Sequence, residues 1–215
     1  MSVDVILPCL DESEALPWVL GRIPAGMRAL VVDNGSRDDS VATARRLGAE
    51  VVLAPVRGYG AACAAGLGHS RADVVVTLDC DGSVDPDELP ALVAPVLDDE
   101  LDLVIGRRVP VGRAAYPLHL RFANRELARR LSRRTGVTIQ DCGPVRVGRR
   151  QGLLDLDVLD QRSGYPAETV VKAAAAGYRI GQLPVSYRVR TGRSKVTGTP
   201  LGIWRAVRDS SAALR

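Results

Sequence analysis

Val74-Val75-Val76-Thr77-Leu78, followed at once by Asp79-Cys80-Asp81-Gly82, is the stretch on which the fold turns. A short unbroken apolar run reads as a parallel strand buried on both faces. Two carboxylates flanking Cys80 then arrive just beyond its carboxyl end, where open α/β sheets collect their ligands. Hard divalent cations such as Mg²⁺ or Mn²⁺ take oxygen ligands, commonly one or two carboxylates together with substrate phosphates. Asp79 and Asp81 on a solvent-facing tip therefore suit a metal, with Ser83 as a weaker neighbour. The same residues also suit an Asp cap followed by an ordinary Asp-Gly turn, so the rest of the chain has to decide.

Outward from that strand, apolar runs at Val3 to Leu7, Ala29 to Val32, Glu50 to Ala54 and Leu101 to Ile105 alternate with helical patterns. The helices are expected at Asp11 to Leu20, Asp39 to Leu47, Ala61 to His69 and Pro86 to Leu97. Gly106-Arg107-Arg108 reads as the stop of the last strand. This alternation indicates a mostly parallel, layered α/β sheet. Beyond Val109 the texture changes. Tyr116 to Arg134 places Leu120, Ala123, Leu127 and Leu131 at helical spacing, with Arg121, Arg125 and Arg129 on a neighbouring face. Ala167 to Ala176 is a further helix closed by Gly177. Arg179 to Arg190 reads as an extended segment whose Pro184 suits a sheet edge, and Arg190 to Thr199 as a mobile polar loop.

Composition sets outer bounds. The 215 residues are 46% hydrophobic and 25% charged, which fits one globular domain with a real core. A net charge of +4 permits anionic ligands or an anionic membrane surface without singling out nucleic acid, and none is expected. Cys9, Cys63, Cys80 and Cys142 have no C-x-x-C spacing, and no signal-peptide pattern or run of about 20 apolar residues occurs. The expected location is the cytoplasm, with membrane contact limited to the periphery of its inner face. His69 and His119 stand alone and read as surface or structural residues. Trp18 and Trp204 read as packing residues.

Four strand ends converge on one edge of such a sheet: Pro8-Cys9-Leu10-Asp11-Glu12, Asp33-Asn34-Gly35-Ser36, the Gly58 to Gly60 loop, and Asp79 to Ser83. In that order they resemble glycosyltransferase family 2, in its dolichyl-phosphate mannosyltransferase-like branch. Pro8 to Glu12 is similar to the P-x-x-N/D-E opening, and Val31 to Asp38 to V-D-D/N-G-S-x-D. Arg57 to Ala62 matches the G-x-G-A-A loop and Asp79 to Asp81 the D-x-D. Asp141 to Arg146 is similar to D-x-G-x-x-R and Gly192 to Lys195 to G-x-S-K. The resemblance spans nearly the whole chain.

It implies a GT-A (Rossmann-like) fold over 1–215, with a nucleotide-sugar half at 1–108 and an acceptor half at 109–215. The implied activity is inverting transfer from a nucleoside-diphosphate sugar. Asp33 would accept a base N–H, favouring UDP, GDP or dTDP donors, while Pro8, Leu10 and Glu12 line the nucleoside pocket. Gly58 and Gly60 would bring backbone close to the ligand at a helix N-terminus that favours anions. Asp79, Cys80 and Asp81 would meet the diphosphate through the metal, and Arg193 and Lys195 would fold over the phosphates.

Transfer to a hydroxyl needs a general base, and Asp141 and Glu168 are both candidates. Relatives carry an acidic pair where this chain has Glu168 alone. That departure leans toward a polyprenyl phosphate, an anionic nucleophile that needs no base, over a small hydroxylated acceptor. Arg107, Arg108, Arg121 and Arg125 are the expected acceptor-side cations. A nucleotidyltransferase of similar fold would instead open with a Gly-rich phosphate loop after the first strand, and a nucleotide-sugar-binding protein without activity would form no product.

Overall fold

A computed structural model describes residues 1–112 and 114–192; Arg193, Lys195 and Trp204 lie outside the described residues. The elements run β1 (Val3–Cys9), α1 (Leu16–Leu20), β2 (Met27–Asp33), α2 (Ser40–Arg46), β3 (Glu50–Leu53), α3 (Tyr59–His69) and β4 (Val74–Leu78). There follow α4 (Leu89–Leu97), β5 (Leu103–Pro110), α5 (Leu118–Thr135), β6 (Val145–Arg149), α6 (Arg150–Asp155), α7 (Tyr165–Ala175) and β7 (Ile180–Tyr187).

The strands form one seven-stranded sheet in the order β3-β2-β1-β4-β6-β5-β7. All neighbours are parallel except β6, which is antiparallel to both β4 and β5. The chain winds outward from β1 to β3 and then returns to the other side of β1 as β4. The β1/β4 boundary is thus a topological switch point, where a crevice opens at the carboxyl ends.

Successive side chains face opposite sides of a strand. Val5, Leu7, Val76 and Leu78 pack under α1 and α4, while Ile6, Val32, Val75 and Ile105 pack under α3, α5 and α7. Each such fully buried side chain contributes about 1.5–3 kcal/mol. The apolar run at β4 is buried throughout, which fixes the place where Asp79 and Asp81 emerge.

Several boundaries differ from the sequence pattern for identifiable reasons. Residues 11–15 form turns before the helix, with Asp11 at φ +54° and the Glu12 carbonyl accepting from Ala15 and Leu16. Gly106-Arg107-Arg108 does not stop β5, because β7 pairs along it as far as Pro110↔Tyr187. β6 and α6 were not expected: two arginines and a glycine break the apolar run at 145–149. The 108/109 division falls inside β5, and β6 inserts between strands of the first half.

On α5 it is Ala128 and Leu131 that are buried, whereas Ala123 is exposed. Arg121, Arg125 and Arg129 face solvent as expected, with Arg129 paired to Glu126 at 3.0 Å. Among the described residues no helix is long and apolar enough to cross a membrane.

Candidate active site

The crevice at the switch point is framed by the ends of β1, β2 and β4. At the end of β2, Asp33 accepts from Gly35 N (3.1 Å) and Ser36 N (3.2 Å), the local turn its sequence suggests. A carboxylate has about four acceptor positions, so this use leaves room for a ligand N–H. Asn34 pins the neighbouring loop: its Nδ2 donates to the Val56 carbonyl at 2.7 Å and its Oδ1 accepts from Gly58 N at 2.7 Å. Pro8 and Leu10 are partly exposed along the crevice, and Glu12 is buried at its edge. Cys80 differs from expectation. Its thiol donates to the Pro8 carbonyl at 3.1 Å and packs with Cys9 in the core, so the side chain is turned away from the crevice.

Asp81 is also deeper than a solvent-facing tip implies, with 6% of its surface exposed. One oxygen accepts from Ser83 N at 2.9 Å, and the other pairs with Arg190 Nη1 at 3.3 Å. The second nitrogen of Arg190 holds Glu12 at 2.7 Å. Burial followed by the charge of Asp81 pushes the Asp79 pKa up to about 6, against the opposing charges of Arg108 and Arg146 and the nearby Tyr59 hydroxyl. The Ser83 hydroxyl is buried without a partner. Two crowded carboxylates and an orphaned hydroxyl are a donor set that a divalent cation satisfies. Among the described residues no cluster of three or more His, Cys, Asp or Glu could hold a metal alone, so substrate oxygens would complete its shell.

Gly58 and Gly60 have a different reason from the expected one. A Cβ on Gly58, whose φ is +144°, would overlap the Gln161 carbonyl oxygen, and one on Gly60 would overlap that of Asp160. Gly60 N and Ala61 N, two of the N–H groups that open α3, donate to the carbonyls of Arg162 and Gln161. The glycines thus admit the 160–162 backbone, and that backbone caps the helix start in place of an anion. Gly60→Ala is expected to destabilise the fold by about 2 kcal/mol, the usual cost of forcing a methyl into packed surroundings, read as a lowered melting temperature. An unchanged melting temperature would contradict the close approach.

Both candidate bases make structural hydrogen bonds and ion pairs. Asp141 is buried; one oxygen accepts from Arg108 Nη1 (2.6 Å) and Gly143 N (2.7 Å), the other from Arg108 N (2.9 Å). Glu168 accepts from Leu159 N (3.0 Å) and Asp160 N (2.7 Å) and pairs with Lys172 at 3.2 Å. Burial alone would raise the Glu168 pKa, yet those N–H groups and the Lys172 ammonium lower it. Asp141 fixes an arginine, and Glu168 fixes the loop that caps α3.

Arg108 is sandwiched between the rings of Tyr116 (5.3 Å) and Tyr187 (5.2 Å), a cation–π arrangement that leaves its plane one orientation. It separates the acidic tip from a groove of about 640 Å³. Arg107, Arg121, Arg125 and Arg129 line that groove with Phe122, and Asp141 lies at its inner end. Arg108 also lines it, so the four expected acceptor-side cations, Arg107, Arg108, Arg121 and Arg125, are brought to one cavity. Arg190, Arg146 and Tyr59 were missed. Arg146 stood in the D-x-G-x-x-R stretch, a signal that was present, whereas Arg190 had nothing in sequence to set it apart from Arg188.

Comparison with known proteins fits this geometry. The model of Glycosyl transferase family 2 matches residues 4–156. An uncharacterized glycosyltransferase of Mycobacterium tuberculosis is 50% identical over 209 residues, covering 97% of this chain and 95% of that protein. The dolichyl-phosphate hexose transferase of Haloferax volcanii is 33% identical over 196 residues, covering 89% and 85%. The glucosyl-3-phosphoglycerate synthase of Mycobacterium tuberculosis, solved with Mn²⁺, UDP and glucosyl-3-phosphoglycerate, superposes with a TM-score of 0.76 at 25% identity, over 99% of this chain and 78% of that one. With a family match over most of its length, a GT-A sheet and an acidic tip at the switch point, this chain belongs to glycosyltransferase family 2 and is a glycosyltransferase.

Proposed function

We propose that the enzyme moves a sugar, with inversion, from a nucleoside-diphosphate sugar to a polyprenyl phosphate. The observation that carries this reading is the commitment of both candidate bases, Asp141 and Glu168, to structural hydrogen bonds beside a groove lined by arginines. A hydroxyl acceptor needs a base within hydrogen-bond reach, whereas a phosphate acceptor is already an anionic nucleophile. Arginine grips phosphate through a planar fork, and Arg107, Arg108, Arg121 and Arg125 supply that chemistry. Arg108, held by Asp141 and two tyrosine rings, is preorganised to aim the acceptor at the donor side of the crevice.

On that donor side Asp33 offers a carboxylate to the base and Glu12 borders the nucleoside. Asp79 and Asp81, with Ser83 beside them, would hold Mg²⁺ or Mn²⁺. When bound, the metal neutralises charge on the departing diphosphate. Arg193 and Lys195 are proposed to close over the same phosphates.

The acceptor would reach the groove from a membrane. Leu118 and Phe122 are 67% and 69% exposed at the start of α5, next to Arg121 and Arg125. Each basic residue near an anionic membrane contributes roughly 1 kcal/mol, fading beyond a Debye length. Replacing Arg121, Arg125 and Arg129 together with glutamine is expected to weaken sedimentation with anionic vesicles at low salt and to raise KM for polyprenyl phosphate more than it lowers kcat. Vesicle binding and KM both unchanged would remove the acceptor role of this face.

The neighbour solved with glucosyl-3-phosphoglycerate favours a second reading, a small phosphorylated hydroxyl acceptor. Incubation with UDP-, GDP- and dTDP-sugars, Mn²⁺, and either a short polyprenyl phosphate or phosphoglycerate separates the two by mass spectrometry of the product. Glycosylated lipid phosphate is expected; product from phosphoglycerate alone would establish the second reading.

A further inference from the structure

We propose that Arg190 is an internal counter-cation: it holds the acidic tip together in the ligand-free protein and is displaced when a divalent cation arrives with a nucleoside diphosphate. The inference rests on the reading of Asp81 as a metal ligand. Arg190 is the one described side chain that links the acids on the two sides of the crevice, through Nη2 to Glu12 (2.7 Å) after β1 and Nη1 to Asp81 (3.3 Å) after β4. Its guanidinium therefore lies where positive charge is needed when no metal is present. Arg188, two residues earlier, is turned away and paired with Asp85 at 3.2 Å.

The backbone carrying Arg190 is fixed, so displacement concerns its side chain. The segment after β7 is stitched antiparallel to the tip by the Val84↔Tyr187 bridge, by Arg188 N to the Ser83 carbonyl (2.7 Å), and by Thr191 N to the Asp81 carbonyl (2.9 Å). The hold on the side chain is incomplete: the Arg190 Nε is buried without a partner, and the Asp81 contact is long for a charge-assisted hydrogen bond. A metal ion close enough to be ligated by Asp81 would compete for the same oxygen and repel the guanidinium. The freed side chain is long enough to turn toward phosphate oxygens, a better bidentate partner.

Two consequences distinguish this device from a merely structural ion pair. Metal alone must bind weakly, because it breaks the Arg190–Asp81 pair with nothing gained by the arginine. Metal and diphosphate must then bind cooperatively, because the diphosphate gives the displaced guanidinium a new partner, and by linkage each ligand tightens the other equally.

The test is a Mn²⁺ titration of the whole chain, followed by the electron paramagnetic resonance signal of free Mn²⁺, without nucleotide and with UDP or GDP. In the wild type, nucleotide is expected to tighten Mn²⁺ strongly. Arg190→Gln is expected to bind Mn²⁺ alone about tenfold tighter, the effect of removing one competing ion pair of about 1.4 kcal/mol, and to lose a similar factor of the coupling. Arg190→Lys keeps the charge but not the planar fork, and should restore the weak binding of Mn²⁺ alone while recovering only part of the coupling. Melting temperatures in chelator and in Mn²⁺ serve as the folding control, with Arg190→Gln gaining more from the metal than the wild type does. If Arg190→Gln binds Mn²⁺ alone no more tightly than the wild type while nucleotide still recruits Mn²⁺ in both, the counter-cation idea is wrong and the metal site stands. If no protein binds Mn²⁺ under any condition, and Asp81→Asn behaves identically, the metal reading falls and this inference with it.

Discussion

Asp81→Asn is expected to lower kcat by about a thousandfold, the scale on which loss of one preorganised charge-stabilising group is felt, while leaving the melting temperature within a few degrees. The substitution keeps the shape of a buried side chain and an oxygen able to accept from Ser83 N, so the tip retains its turn. It removes the charge that a divalent cation needs and that Arg190 presently balances. Steady-state transfer at saturating Mn²⁺, paired with thermal melting, separates the two effects. Full turnover in Asp81→Asn, or in excess chelator, would refute the metal assignment. A collapsed melting temperature would show that the residue serves the fold first.

Asp141→Ala is expected to destabilise the protein by about 3–5 kcal/mol, because it strands the largely buried Arg108 without its carboxylate. For a chain of this size that is a fall of about 10 °C in melting temperature. A general base would behave differently: its removal would cost rate and alter the pH profile but leave the melting temperature unchanged. The double variant Arg108→Leu with Asp141→Leu removes both charges together and is expected to recover much of the stability, as buried pairs replaced by apolar groups commonly do. It should remain unable to use a phosphate acceptor. Recovery of transfer in that double variant would contradict the role given to Arg108.

The fold was legible wherever burial alone decided the residue type. β1, β2 and β4 are largely apolar because both sheet faces are covered, and the ends of β2 and β4 put Asp33, Asp79 and Asp81 at one edge of the sequence pattern as of the sheet. Legibility failed where tertiary pairing overrode the local pattern. Arg107 and Arg108 look like a strand terminator, yet β7 carries the ladder through them. Arg146 is charged and fully inside, because it donates to the Cys142 carbonyl and lies near the half-buried Asp79, neither of which is visible in a linear reading.

Site chemistry showed the same division. Residue types announced acids and arginines in the right segments, but not which acids were already committed. Glu168 has the sequence context of a base and the contacts of a loop anchor. Gly58 and Gly60 have the pattern of a ligand loop and the surroundings of a backbone crossing. Arg190 depends on a contact spanning 178 positions to Glu12, a separation that no local pattern records.

The central claim is that the acceptor is its own nucleophile, and its most direct test compares a short polyprenyl phosphate with the polyprenol of identical chain under the same donor sugar and Mn²⁺. The account predicts glycosylated product from the phosphate and none from the alcohol, with initial rates that do not report a catalytic carboxylate base. Transfer to the alcohol at a rate equal to or above that of the phosphate would contradict it, because the enzyme would then have to supply a base, against the structural roles proposed for Asp141 and Glu168.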